Sequence, residues 1–516
     1  VRNDELFWTR RSVLTSGFGA FVAAAFPLTS GMAAEPSGPA LGEATDFSHA
    51  RIVELARKLA EKPYVPAPTK LPPVLRNLTY DQYRDIRYRR DAALFAEQNS
   101  QFKADLFHAG FYFTTPVSVY VIDGEVARPV RYSPDLFNWG KLVKPPPPDT
   151  DLPFSGFRLR HPINRPDVWD EFTVFQGASY FRAVAKGQLY GLSARGLAIK
   201  TGDPVGEEFP AFTRFWLEVP KPGAKSFTCY ALLESASCTG IFSYLIRPGA
   251  RTTMDIDLSL FPRQEMASVG LAPLTSMFLF ESSRRNRIDD FRTAVHDSDG
   301  LEIRTGQGEH VWRPLCNPRT LQISSFADQS PMGFGLVQRA RDFQHFQDLE
   351  ARYEKRPSAW IEPIGDWGPG SVMLVEIPTQ REVNDNIVAF WRPKNPIPAN
   401  SEFRATYRLS WCDQPPSSND LAKVTATRIG PNFNHDATQF VVDFGPSNRT
   451  NEDLKVETSA SKGDIRHATV QPNPETGGHR AKFELAPQSE EIVELRLRLV
   501  QGETAASETW LYRWIA

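Results

Sequence analysis

The chain has 516 residues, a formal net charge of −2, 42 prolines and 35 phenylalanines. Hydrophobic residues make up 41% and charged residues 23%, which suits a buried core and excludes a disordered chain, and the near-neutral balance carries no footprint for nucleic acid. So many prolines leave little room for long helices, and the aromatics favour strands, so composition points to a large, mostly β protein.

The first run, Val13 to Pro27, is apolar but broken by Ser and Gly, too short and too interrupted for a membrane span. Arg10 and Arg11 stand directly before it, and the small residues G-M-A-A follow it. This order predicts an export signal of the twin-arginine type over residues 1–34, and therefore a periplasmic protein. Residues 35–45 are rich in Gly, Ala, Pro and Ser and are expected to be loose. In F-S-H-A-R-I-V-E-L-A-R-K-L-A-E-K, Ile52, Leu55, Ala56 and Leu59 recur at helical spacing behind a cap at Asp46 or Ser48. T-Y-D-Q from Thr79 is a capping-box pattern and predicts a second, short helix.

From Phe102 the pattern turns to strands. V-S-V-Y-V-I-D-G-E-V-A-R-P-V reads as a hairpin with Asp123-Gly124 as its turn. Strand-like runs follow at 172–176, 180–184, 215–219, 227–233, 241–246 and 254–260, and Pro145 to Pro148 reads as an exposed stiff loop. Pro, Ser and Asn cluster from Trp411 to Asp420, and about a hundred residues with new short strands come after them. Their number and spacing suit an immunoglobulin-like sandwich. The four cysteines, Cys229, Cys238, Cys316 and Cys412, are too few for a disulfide scaffold and are expected as buried thiols, the alternative being a Cys229–Cys238 pair across neighbouring strands.

Several chemistries are absent. The chain has no phosphate loop, no dinucleotide glycine motif, no H-E-x-x-H and no G-x-S-x-G. T-G-Q-G-E-H at 305–310 reads as a turn. What remains between about residues 290 and 395 is a dense set of carboxylates and aromatics. Sugar chemistry needs both, the acids for proton transfer and flat rings against sugar faces.

Specific strings in this region and before it carry a resemblance. They include G-A-S-Y-F-R (177–182), Y-G-L-S-A-R-G-L-A-I (190–199), G-E-E-F-P (206–210), A-P-L-T-S-M-F-L-F (272–280), V-H-D-S-D-G-L (295–301), V-W-R-P-L (311–315), R-P-S-A-W (356–360), L-V-E-I-P-T (374–379) and N-D-N-I-V-A-F-W (384–391). From about Phe47 to the C-terminus the chain resembles the periplasmic glucan biosynthesis proteins G and D of proteobacteria, and the twin-arginine pattern favours the D branch. The resemblance implies an all-β fold: a galactose-mutarotase-like supersandwich over 42–412 and an immunoglobulin-like sandwich over 421–516. It implies action on the β-1,2-linked backbone of osmoregulated periplasmic glucans, as an anomer-inverting endo-β-1,2-glucanase. The competing readings are an inverting transglycosylase that cyclises or rearranges the glucan, and a non-catalytic glucan-binding module. It further implies a functional link to a membrane glucan glucosyltransferase and a homodimer, with no metal and no organic cofactor.

Roles carry over where the motifs match. Asp385 in N-D-N-I-V-A-F-W looks like the general acid, and Asp297, the first aspartate of H-D-S-D-G, like the general base; Asp299 is the other candidate in that motif. Tyr353 in A-R-Y-E-K and Glu382 in R-E-V-N-D match positions that shape the proton route. Inversion needs one carboxylic acid to protonate the leaving oxygen and one carboxylate to activate water. Read as residues alone, H-D-S-D-G and N-D-N are also ordinary polar turns. Trp312, Trp360, Trp367 and Trp391 are core residues or sugar platforms, and Arg313 and Arg356 are expected to donate to buried acids.

Overall fold

A computed structural model of the chain describes residues 38–68, 71–97, 100–147, 150–282, 288–416, 420–447 and 453–516. The signal predicted over 1–34 lies outside the described residues. Strands arranged in several sheets dominate, and the helices are short, as the composition requires. Among the described residues no helix is long and apolar enough to cross a membrane. The chain divides into two compact units. One runs to Pro273 and takes in Phe390–Trp411; the other is Leu274–Ala389 with Cys412–Ala516.

In the first unit, the helix His49–Ala60 is capped by the Ser48 side chain, which accepts from the Arg51 amide. Its buried residues Ile52 and Ala56 pack on Ile122, Trp216, Leu232 and Ile241. The helix Tyr80–Asp85 has the full capping box: the Thr79 hydroxyl accepts from the Gln82 amide, and the Gln82 side chain accepts from the Thr79 amide. Two expectations are corrected. Asp123 pairs with Val126 in the hairpin, so the two-residue turn is Gly124-Glu125, one position later than predicted. Gly124 takes φ +60°, the left-handed geometry that a tight hairpin turn demands at its first position. The stretch 35–45 is also not loose to its end. Leu41 bridges Val130, and Thr45–Asp46 pairs with the hairpin's second strand.

One sheet of this unit runs in the order Thr45–Asp46, Val126–Pro129, Ser118–Asp123, Ala211–Glu218, Phe227–Glu234, Cys238–Arg247, Thr252–Pro262, Phe403–Cys412. A second runs Ser193–Arg195, Tyr180–Ala183, Asp170–Gln176, Phe154–His161, Lys103–His108. Phenylalanines fill the space between them. Phe157, Phe175 and Phe181 stack in a row along the second sheet, with centroids 4.9 and 5.2 Å apart. Phe215 and Tyr244 of the first sheet meet the row edge-on at 5.0 to 5.5 Å. Each such pair adds about 1 kcal/mol beyond the area it buries. The high Phe count is thus largely core.

In the second unit a sheet runs Ser358–Ile364, Gly333–Val337, Gly300–Arg304, His310–Pro314, Thr509–Ile515, Ile492–Gln501, Leu454–Ala460. A four-stranded sheet, Val424–Pro431, Thr438–Phe444, Gly478–Ala486, Asp464–Asn473, shares a core with it: Phe440 and Phe483 stack at 4.9 Å beside Trp510, Tyr512, Leu495 and Leu497. Trp312 and Val337 join the same core. The C-terminal strands Thr509–Ile515, Ile492–Gln501 and Leu454–Ala460 therefore lie in one continuous sheet with residues 300–337, and the others form the four-stranded sheet. Arg339 fastens this arrangement. It bonds both carboxylate oxygens of Glu508 (2.8 and 2.9 Å), Glu302 (3.1 Å) and the Val424 carbonyl (2.7 Å), and its guanidinium lies 3.5 Å over the Trp312 ring. All four cysteines are buried thiols, and burial pushes Cys238 up to about 12.

Candidate active site

All four candidate residues belong to the second unit. H-D-S-D-G is the turn that joins the short strand Val295–His296 to the strand Gly300–Arg304. Its backbone is tied on both sides. The Asp297 amide donates to Met277 O (2.9 Å), the Asp299 amide to Val337 O (2.8 Å), and the Leu315 amide to Asp299 O (2.9 Å). The motif ends in Gly300 because the Trp312 ring stands 2.5 Å from where a Cβ would lie.

The two aspartates of the turn have different surroundings. The Asp299 carboxylate accepts from the Arg339 and Ala340 amides and stands 3.3 Å from His296 Nδ1, so its oxygens fix the backbone that follows Val337. Asp297 is fully buried and paired with the Arg356 guanidinium, itself fully buried. Arg356 also donates through Nε and Nη2 to Ala351 O (3.2 and 3.0 Å) and lies 4.1 Å over the Tyr353 ring. Arg313 likewise donates to buried Glu376 (3.2 Å), so both arginines serve buried acids as expected.

Tyr353 opens the one-turn helix Tyr353–Lys355 and is itself buried, its ring 5.7 Å from Phe346. The Tyr353 hydroxyl donates to Glu382 at 3.4 Å. Glu382 is held more firmly by Arg292, at 2.6 Å. Arg292 also grips Asp290 through two nitrogens (3.0 and 2.8 Å) and Asp348 (3.0 Å). Burial opposes the charge on Arg292, but the hydrogen bonds it donates to Asp290 and Glu382 outweigh it and hold its pKa above the ordinary value. Asp348 in turn accepts from the Glu350 and Ala351 amides and so shapes the turn before Tyr353. A continuous path thus runs from Asp297 through Arg356 and Tyr353 to Glu382 and Arg292.

Gln338 links the same elements from below. Its Nε2 donates to His296 O (3.2 Å) and Tyr353 O (3.3 Å), which fixes the amide so that Oε1 faces His296 Nδ1 at 3.0 Å. An oxygen there only accepts, so Nδ1 carries the proton. Burial lowers the His296 pKa, and the ring stacks 5.3 Å from Phe278.

Asp385 lies on the loop that also carries Glu382, between Pro369–Glu376 and Ile387–Pro393. Its two asparagine neighbours build that loop. Asn386 is buried and bonds Phe278 through both its amide groups (2.8 and 3.0 Å) and Ile377 O (3.0 Å). Asn384 bonds the Thr379 hydroxyl (3.1 Å), and Asn317 clamps Thr379 from both sides of its peptide (2.9 and 2.8 Å). The asparagine side chains thus bond other segments rather than their own backbone, as the turn reading of N-D-N would have it, and Asp385 between them is half-buried.

The structure connects Asp297, Tyr353 and Glu382 and places Asp385 in the same loop as Glu382. Sequence reading missed Arg292, Asp348, Gln338 and Asn317, which position these groups but sit in no chemical motif. Trp312, Trp360 and Trp391 are buried core residues, and Trp367 is half-buried. A cavity of about 600 Å³ in this unit is lined by Asp299, Glu281, Trp312, Arg339, Arg341 and Lys423 among others, and by none of the four candidate residues. Among the described residues no three of His, Cys, Asp and Glu stand together so as to hold a metal ion.

A sequence model of the family described as "Periplasmic glucan biosynthesis protein, MdoG" matches residues 47–514. The chain is 47% identical over 508 residues to a "Glucans biosynthesis protein G" of Rhodopseudomonas palustris strain CGA009, covering 98% of this chain and 99% of that one. It is 49% identical over 471 residues to the protein of that name from R. palustris strain BisA53, covering 91% and 93%. A third protein of the same name, from Bradyrhizobium diazoefficiens, is 48% identical over 476 residues, covering 92% and 94%. The sequence reading leaned to the D branch; these three relatives carry the G name.

Proposed function

This chain belongs to the family of periplasmic glucan biosynthesis proteins, MdoG, and from that premise we propose that it cleaves the β-1,2-linked backbone of periplasmic glucans with inversion at the anomeric carbon. The observation that carries the reading is the buried path from Asp297 through Arg356 and Tyr353 to Glu382, with Asp385 on the loop of Glu382.

In this reading Asp385 gives its proton to the glycosidic oxygen as the C1–O bond breaks, and the bonding electrons leave with that oxygen. A water oxygen bonds to C1 from the opposite face, and its proton passes through a substrate hydroxyl towards Asp297. Full burial of Asp297 agrees with a relay, since no bulk water reaches it. Arg356 occupies one carboxylate oxygen and keeps the group oriented, while the Tyr353 hydroxyl and Glu382 hold the walls of the proton route. Export by the twin-arginine route and cooperation with a membrane glucosyltransferase belong to the same reading.

The same burial favours a second reading. A base that bulk water cannot reach also suits a protein that binds glucan without turnover. Incubating pure protein with linear β-1,2-glucan separates the two. Shortened chains whose new reducing ends appear first as the α anomer support inverting hydrolysis. Rings or rearranged chains indicate transglycosylation, and unchanged chain length indicates binding alone.

A further inference from the structure

The first unit contains none of the four candidate catalytic residues, yet it carries a cavity of about 540 Å³, within the ordinary range of small-ligand pockets, about 300–1,000 Å³. Five aromatic side chains line it: Tyr64, Tyr112, Phe113, Tyr180 and Phe209. Four are half-buried, and Tyr112 is 64% exposed.

The wall is built rather than accidental. Tyr180 and Phe209 come from two of the strings that carry the family resemblance, G-A-S-Y-F-R and G-E-E-F-P. Both rings are backed by one guanidinium. Arg195 lies 4.8 Å over Tyr180 and 5.8 Å over Phe209, and is itself anchored to Glu207 at 2.7 Å. Tyr180 follows a turn in which Gly177 and Ala178 both take positive φ, +81° and +41°. A non-glycine residue in that region is strained, and such strain persists where the surroundings enforce it. Tyr112 packs on Phe111, at 4.0 Å between centroids, and Tyr83 stacks behind both Phe111 and Phe113.

The charged and hydroxyl groups of the cavity include Thr115, Ser118, Thr213, Arg214 and Glu234, with the Thr213 hydroxyl donating to Glu234 at 2.7 Å. One guanidinium and one carboxylate leave no net charge to attract an ion. Open aromatic faces with paired donors and acceptors suit a neutral polyhydroxyl chain: C–H faces lie on the rings, and hydroxyls bond the polar groups.

We propose that this cavity is a non-catalytic subsite that holds a short run of glucosyl residues of the glucan backbone. The proposal rests on the β-1,2-glucan reading above. It is tested in the full chain with Tyr112→Ala and Tyr180→Ala, using linear β-1,2-glucan as probe. Calorimetric affinity for long chains should weaken about fivefold for each variant, by loss of one ring contact, and KM should rise equally with kcat unchanged. Tyr112 is mostly exposed, so its variant keeps the fold even if Tyr180→Ala does not. Affinity and KM within twofold of the parent in a folded Tyr112→Ala chain, with glucan still turned over, overturn the subsite and leave the proposed function standing. A parent protein that neither binds nor cleaves the glucan overturns both.

Discussion

Arg356 and Asp297, fifty-nine residues apart in sequence, form an ion pair with both side chains fully buried. Buried pairs of this kind are poor contributors to stability in themselves, but removing one partner leaves an uncompensated charge and costs about 3–5 kcal/mol. The pair is therefore better understood as a positioning device, and Arg356 uses three nitrogens to make it: one on Asp297 and two on Ala351.

Arg356→Lys keeps the charge but has no planar fork to hold both Asp297 and Ala351. It should reduce glucan turnover at least tenfold, on the order of 1.4 kcal/mol in the barrier, and lower the melting temperature. Full activity in this variant would remove Arg356 from the account.

Tyr353→Phe keeps the ring that packs on Phe346 and under Arg356 and removes only the hydroxyl that meets Glu382. Stability should change by about 1 kcal/mol or less, while kcat falls with KM little altered. A loss of stability matching the loss of activity would mark the residue as merely structural.

Acid stability should show the imprint of His108. Burial depresses its pKa to about 4, against an ordinary value of 6.5. Its ring meets Phe137 and Trp139 edge-on, and Nε2 stands 2.9 Å from the Tyr132 hydroxyl. Below pH 6.5 the unfolded chain takes up a proton that the folded chain refuses, so stability falls as pH drops from 6.5 towards 4. The share of this one histidine is about 3 kcal/mol. His108→Gln should flatten the fall in denaturant midpoint over that window; an unchanged slope contradicts the assignment.

Arg339→Ala strands Glu302 and Glu508, both nearly fully buried, without their common cation. A loss of about 3–5 kcal/mol in unfolding free energy is expected. Replacing Glu508 with Gln in the same chain should recover part of it, since fewer buried charges then go unpaired.

Legibility in the sequence followed the strength of the local signal. The two helices carried caps at Ser48 and Thr79, and the strands from 172 to 260 carried alternating or continuous apolar runs, so both were readable. Leu454–Ala460 and Asp464–Asn473 were not, because only alternate residues of the first are even partly buried and most of the second is exposed. The hairpin turn moved by one residue because D-G and G-E both permit a tight turn, and pairing across the strands decides between them. At the site, Asp297, Tyr353, Glu382 and Asp385 came from motif resemblance. Arg292 and Gln338 gave no signal, because their roles arise from bonds to residues 56 and 90 positions away and 15 to 42 positions away, respectively.

The central claim is that Asp385 is the proton donor of an inverting glucan cleavage. The most direct measurement follows linear β-1,2-glucan incubated with the parent protein and with Asp385→Asn, reading chain length and glucan affinity for both. The account predicts shortened chains from the parent, and from Asp385→Asn no shortening with affinity retained. Equal turnover by the two proteins would contradict it.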